Sequence, residues 1–102
     1  MSEEEEKKLK NKISVTDHAV LRYTQRVIGI NTDYVKESIR NDEHQLIRYL
    51  QKIGLISINK IKEEILNKEL LRIVGLFGSD GYFRNRKYLV VLKQYKIVTI
   101  IK

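Results

Sequence analysis

From Leu70 to Lys102 the chain reads LLRIVGLFGSDGYFRNRKYLVVLKQYKIVTIIK, and this stretch differs in kind from everything before it. It is rich in β-branched and aromatic residues, and glycines punctuate it at positions 75, 78 and 81. That composition, with turn residues at intervals, predicts strands. Three antiparallel strands are expected: about Leu71 to Phe77, Tyr82 or Arg86 to Lys93, and Lys96 to Ile101. Gly78-Ser79-Asp80-Gly81 makes the first turn and Gln94-Tyr95 the second. In the middle strand Tyr88, Val90 and Leu92 alternate against Lys87, Leu89, Val91 and Lys93. In the last, Val98 and Ile100 alternate against Ile97, Thr99 and Ile101. Apolar residues fall on both faces, so helices are expected over one face and part of the other.

Upstream the period changes to that of helices. Thr16 to Gly29, TDHAVLRYTQRVIG, reads as a complete short helix, capped by Thr16 or Asp17 and stopped by Gly29. Ile13-Ser14-Val15 before it is a short strand or a hydrophobic staple. A second helical pattern runs from Asn31 to Gly54 with Tyr34, Val35, Ile39, Leu46, Ile47, Leu50 and Ile53 as its apolar positions. Asn41-Asp42 is its weak point, with Asp42 capping the second piece. Asn59 is expected to cap a third helix, from Lys60 to about Leu66, with Ile61 and Ile65 inward. Residues 1–12 are too polar to bury and read as a disordered or frayed lead-in. The fold class is therefore α+β: N-terminal helices packed on a small C-terminal antiparallel sheet of about three to four strands. Residues 13–102 form one domain, and no second domain is expected at this length.

The totals narrow the function. The 102 residues carry a net charge of +7, and four of the acids, Glu3 to Glu6, sit together in the lead-in. A basic domain favours acidic partners, nucleic acid first. With no cysteine there is no disulfide framework or thiolate metal site, and two histidines at unrelated spacing give no metal motif, so no metal and no cofactor are expected. No apolar run approaches the roughly 18 residues of a membrane span, and the acidic N-terminus is unlike a signal peptide. The expected location is cytoplasmic, with no membrane partner.

One stripe of the Thr16–Gly29 helix carries the chemistry. At 100° per residue His18, Arg22, Gln25 and Arg26 fall in line, and the rest of the circumference is apolar. Cleavage of RNA by attack of its own 2′-hydroxyl needs a group that moves a proton near neutrality and cations that hold the charged phosphate. Histidine suits the first task and arginine the second. The plainer alternative is a capping histidine with two solvated arginines. A second basic set, Arg84, Arg86 and Lys87, is interleaved with Tyr82, Phe83 and Tyr88, a pattern that suits phosphate binding with base stacking, or an edge strand guarded by charge. Thr99 is the polar residue of an otherwise apolar last strand, with a hydroxyl available to a phosphate if it lies beside the stripe. His44 caps or decorates the second helix, Tyr23, Tyr34 and Tyr49 fall at core spacing, and Glu63-Glu64 are helical acids.

The segment Ile13 to Ile30, with its Thr16-Asp17-His18-Ala19 and Arg22-Tyr23 and Arg26-Val27 pairs, resembles the TDHAxxRYxxRVxG start of a family of small phage and prophage proteins. The end, Lys87 to Ile101, is similar to that family's closing hairpin. Together they are similar in layout to the BrnT and RelE-like toxins, metal-independent RNases of toxin–antitoxin systems. The resemblance implies an endoribonuclease fold with His18, Arg22, Arg26 and Thr99 as the catalytic residues, while the basic and aromatic set Arg84, Arg86, Lys87, Tyr82 and Tyr88 is expected to hold the RNA. It implies RNA as partner, with an antitoxin or host protein as a further one. The alternative function is a non-enzymatic phage-type module that contacts nucleic acid or inhibits a host protein. Residues 31–58 depart from the pattern as a helical insert, which offers a surface for a homodimer.

Overall fold

The computed structural model describes residues 2–102. Its elements follow from local signals that close each helix in turn. Ser2 caps α1 (Glu3–Lys12), with four acids in the first turn and Lys10 and Lys12 in the last, the order that the helix dipole favours. Leu9 of α1 packs against the core, and α1 lies on α6. After β1 (Ser14–Val15), Thr16 caps α2 (Asp17–Tyr23), which widens into one π-helical turn, Thr24–Ile28. Gly29, at φ 87°, ends it in the left-handed conformation that glycine adopts without a side-chain penalty. A single turn, α3 (Glu37–Arg40), leads to Asp42, which caps α4 (Glu43–Lys52) by accepting from His44 and Gln45. Ser57 caps α5 (Ile58–Ile65) and Asn67 caps α6 (Lys68–Phe77).

Three strands follow: β2 (Gly81–Arg84), β3 (Leu89–Lys93) and β4 (Lys96–Ile101). The sheet order is β1-β4-β3-β2. Pairing is antiparallel between β2 and β3 and between β3 and β4, but β1 runs parallel to β4, so the α+β fold has a mixed sheet and not a purely antiparallel one. One core cluster joins Ala19, Val20 and Tyr23 of α2, Leu46, Ile47 and Leu50 of α4, Ile61 and Ile65 of α5, and Leu70, Leu71 and Val74 of α6 to Val90, Leu92, Ile97 and Ile100 of the sheet. No helix among the described residues is long and apolar enough to cross a membrane.

Several expectations need correction. Leu71 to Phe77 is helix, not strand: Leu70, Leu71 and Val74 recur at helical spacing and are all buried, and the cap at Asn67 starts the helix before them. Gly78 to Gly81 therefore joins a helix to a strand, and the middle region divides into β2 and β3 about a turn at Asn85 to Tyr88. Ser57 rather than Asn59 caps α5. Tyr34 and Ile53 are exposed, at 59% and 46%, because the chain from Gly29 to Lys36 is irregular and Ile53 follows the end of α4.

Candidate nucleic-acid interface

Two helix starts meet beside the sheet. Thr16 accepts from the Ala19 amide (3.2 Å) and its hydroxyl donates to the Ile97 carbonyl of β4 (2.8 Å), which fixes the first turn of α2 against the strand. The first turn of α4 faces it. His18 Nδ1 lies 2.6 Å from Glu43 Oε2, and His44 Nδ1 lies 2.9 Å from Asp17 Oδ2. The dipeptides Asp17-His18 and Glu43-His44 thus pair reciprocally, histidine to carboxylate in both directions. His44 is neither a cap nor mere decoration of α4. Glu43 carried no sequence signal beyond its place in a polar run. The mirrored dipeptides, each directly after a capping residue, are the clue in retrospect.

From His18 the contacts continue. With its Nδ1–H directed to Glu43, the imidazole presents Nε2 as an acceptor, and the Nε–H of Arg22 approaches it at 3.4 Å. Arg22 Nη1 donates to Gln25 (2.9 Å), and Gln25 donates to the buried Thr32 hydroxyl (3.0 Å). His18 and Arg22 are therefore brought together, but the lone pair a general base would use is already occupied.

Arg26 and Thr99 are not part of this group. A π-helical turn spans one residue more than an α-helical one, so the stripe drawn at 100° per residue breaks after Tyr23. Arg26 turns toward the sheet, where its Nη1 donates to the Ile100 carbonyl at 2.7 Å. Thr99 lies on the far face. β4 pairs Ile100 with Val90 and Thr99 with Val91, then shifts register so that Ile97 opposes Leu92. The extra residue, Val98, is a bulge that turns Ile97 and Ile100 alike into the core, whereas strict alternation expects Ile97 and Thr99 on one face.

The same register defines an open face. By alternation, Tyr82 and Arg84 of β2, Leu89, Val91 and Lys93 of β3, and Lys96, Thr99 and Ile101 of β4 point away from the core cluster. Tyr82 pairs with Val91, which pairs with Thr99, so the shielded Val91 sits between an aromatic ring and a hydroxyl. Tyr82 is 71% exposed. The strand residues of this face include three cations and no carboxylate. Tyr88, expected to stack on bases, is instead buried on the core side at 4% exposure, with its ring edge-to-face with Tyr23 at 5.5 Å.

Arg86 and Lys87 sit at the tip of the turn between β2 and β3, where Asn85 Oδ1 accepts from the Lys87 and Tyr88 amides. They border an open cleft of about 430 Å³ on the helix side, lined also by Tyr23, Tyr88, Glu64, Asn67, Glu69 and Asn85. Burial pushes the Tyr23 phenol up to about 12, helped by Tyr88 and Glu64, and burial raises that of Tyr88 too. Both phenols stay protonated at neutral pH and can donate.

Among the described residues no group of three or more His, Cys, Asp or Glu side chains is placed to hold a metal ion. The chain matches no protein-family model, no curated protein and no solved structure.

Proposed function

We propose that the protein binds single-stranded RNA on the open face of its sheet. The observation that carries this reading is the composition of that face: Arg84, Lys93 and Lys96 around the exposed Tyr82 and the Thr99 hydroxyl, without a carboxylate on the strands. A single strand needs cations for its phosphates and a ring on which a base can stack, and it tolerates a shallow surface. RNA as the polymer is taken from the resemblance of the Thr16–Gly29 segment and the closing hairpin to RelE-like RNases.

Cleavage is the second reading, favoured by the 2.6 Å contact of Glu43 with His18. A carboxylate on Nδ1 is the arrangement that orients an imidazole for proton transfer at Nε2. For that chemistry Arg22 would leave Nε2 and move onto the substrate phosphate.

Fluorescence anisotropy with a labelled 12-nucleotide single-stranded RNA tests both readings. Affinity should fall with salt at a log–log slope of about −0.7 for each phosphate neutralised, hence about −2 for three contacts. Replacing Arg84, Lys93 and Lys96 together by Ala should remove most of that slope, and Tyr82→Ala should cost about 1–3 kcal/mol. Unchanged binding by the triple variant would overturn the proposal. Cyclic-phosphate ends formed in EDTA by the wild type but not by His18→Ala would establish cleavage; intact RNA leaves binding alone.

A further inference from the structure

The cleft on the helix side and the open face of the sheet lie on either side of the β2–β3 turn. Arg84 ends β2 on the open side, and Arg86 and Lys87, two and three residues on, border the cleft. Its volume is within the roughly 300–1,000 Å³ of small-molecule sites. Its charges are divided, with Arg86 and Lys87 from the turn and Glu64 and Glu69 from α5 and α6. These ions do not neutralise one another: among the described residues the only ion pairs within 4.0 Å are the two histidine–carboxylate contacts between α2 and α4. Glu64 meets the Tyr23 hydroxyl through one carboxylate oxygen at 3.5 Å, a long contact that leaves the other oxygen free.

We infer that this cleft takes one guanine nucleotide, with Arg86 and Lys87 on its phosphate and Glu64, flanked by Glu69, on the edge of its base. The choice of base follows from donors. Guanine presents N1–H and the exocyclic N2–H side by side, and one carboxylate accepts both. Adenine and cytosine each set one amino donor beside a ring-nitrogen acceptor, and uracil sets its N3–H between two carbonyls, so each places an acceptor against the carboxylate. In a bound strand this nucleotide lies just over the turn from the open face. The inference deepens the RNA-binding reading and rests on it for the source of the nucleotide, although the cleft recognises the free nucleotide by the same groups.

The test follows amide shifts during titration with guanosine, adenosine, cytidine and uridine 5′-monophosphates, and compares oligouridylate with the same oligomer carrying one guanosine. The guanine nucleotide should bind about tenfold or more tightly than the others, and a Glu64→Gln, Glu69→Gln double variant should reduce that preference below about twofold. Arg86→Ala with Lys87→Ala should weaken all four nucleotides together. All four substituted positions are exposed, and the fold of each variant is checked by its amide spectrum. Equal affinity for the four nucleotides, or a preference that survives the double variant, overturns the inference. Oligouridylate binding that persists alongside that result leaves the sheet reading intact; guanine binding without oligouridylate binding removes the sheet reading and keeps the cleft.

Discussion

Thr16 is the residue on which most of the site's geometry depends. Its hydroxyl oxygen caps α2, and its hydroxyl proton is donated to the Ile97 carbonyl, so one side chain both starts the helix and seats it on β4. Thr16→Val keeps the shape and loses both bonds, and should cost about 2 kcal/mol in urea denaturation, while Thr16→Ser should recover most of it. His18, by contrast, has an imidazole engaged on both nitrogens, by Glu43 and by Arg22. That explains why a histidine with suggestive neighbours in the sequence is placed first as a joint between two helices and only second as a base.

At the scale of elements, the β3–β4 hairpin is a tight two-residue turn in which both central residues, Gln94 and Tyr95, have positive φ, at 48° and 60°. Such turns prefer Asn-Gly, and a non-glycine residue in the left-handed region costs roughly 1–2 kcal/mol. Here the surroundings hold the turn. Asp80 accepts from the Gln94 amide (3.2 Å), the Ser14 amide donates to the Tyr95 carbonyl (2.9 Å), and the Lys12 ammonium lies 4.1 Å from the centre of the Tyr95 ring. The Gln94 side chain is exposed, so Gln94→Gly should raise the thermal midpoint by the equivalent of up to about 1 kcal/mol. A lowered midpoint would show that the strain is not at that residue.

For the whole molecule, helices lie against one side of the sheet and the other side is open. The layers meet at the Tyr23–Tyr88 pair, and its titration reports on their union. Folding raises the Tyr23 phenol from 10.0 to about 12, and Tyr88 moves in the same direction. Below pH 10 both states hold the proton and the native packing is at full strength. Between pH 10 and about 12 the unfolded chain releases the proton while the folded chain keeps it, so stability falls as pH rises. Thermal midpoints measured from pH 9 upward should show this fall, and Tyr23→Phe should flatten it.

The sequence by itself determined the cap at Asp42 and one at Thr16 or Asp17, the stops at Gly29 and Gly54, the last strand with its Gln94-Tyr95 turn, and hence an α+β chain with a basic surface. These are local matters, settled by side chains bonding to nearby backbone and by glycine's freedom at positive φ. Leu70 to Phe77 was not legible as a helix, because a short run of Leu, Ile, Val and Phe suits a buried strand equally well and packing decides between them. Only the tertiary structure decided the rest of the site. The π-helical turn directs Arg26 to a carbonyl of β4, and the bulge at Val98 puts Thr99 on the face away from His18. A one-residue change of phase leaves no mark in composition, yet it reverses which side chains share a surface.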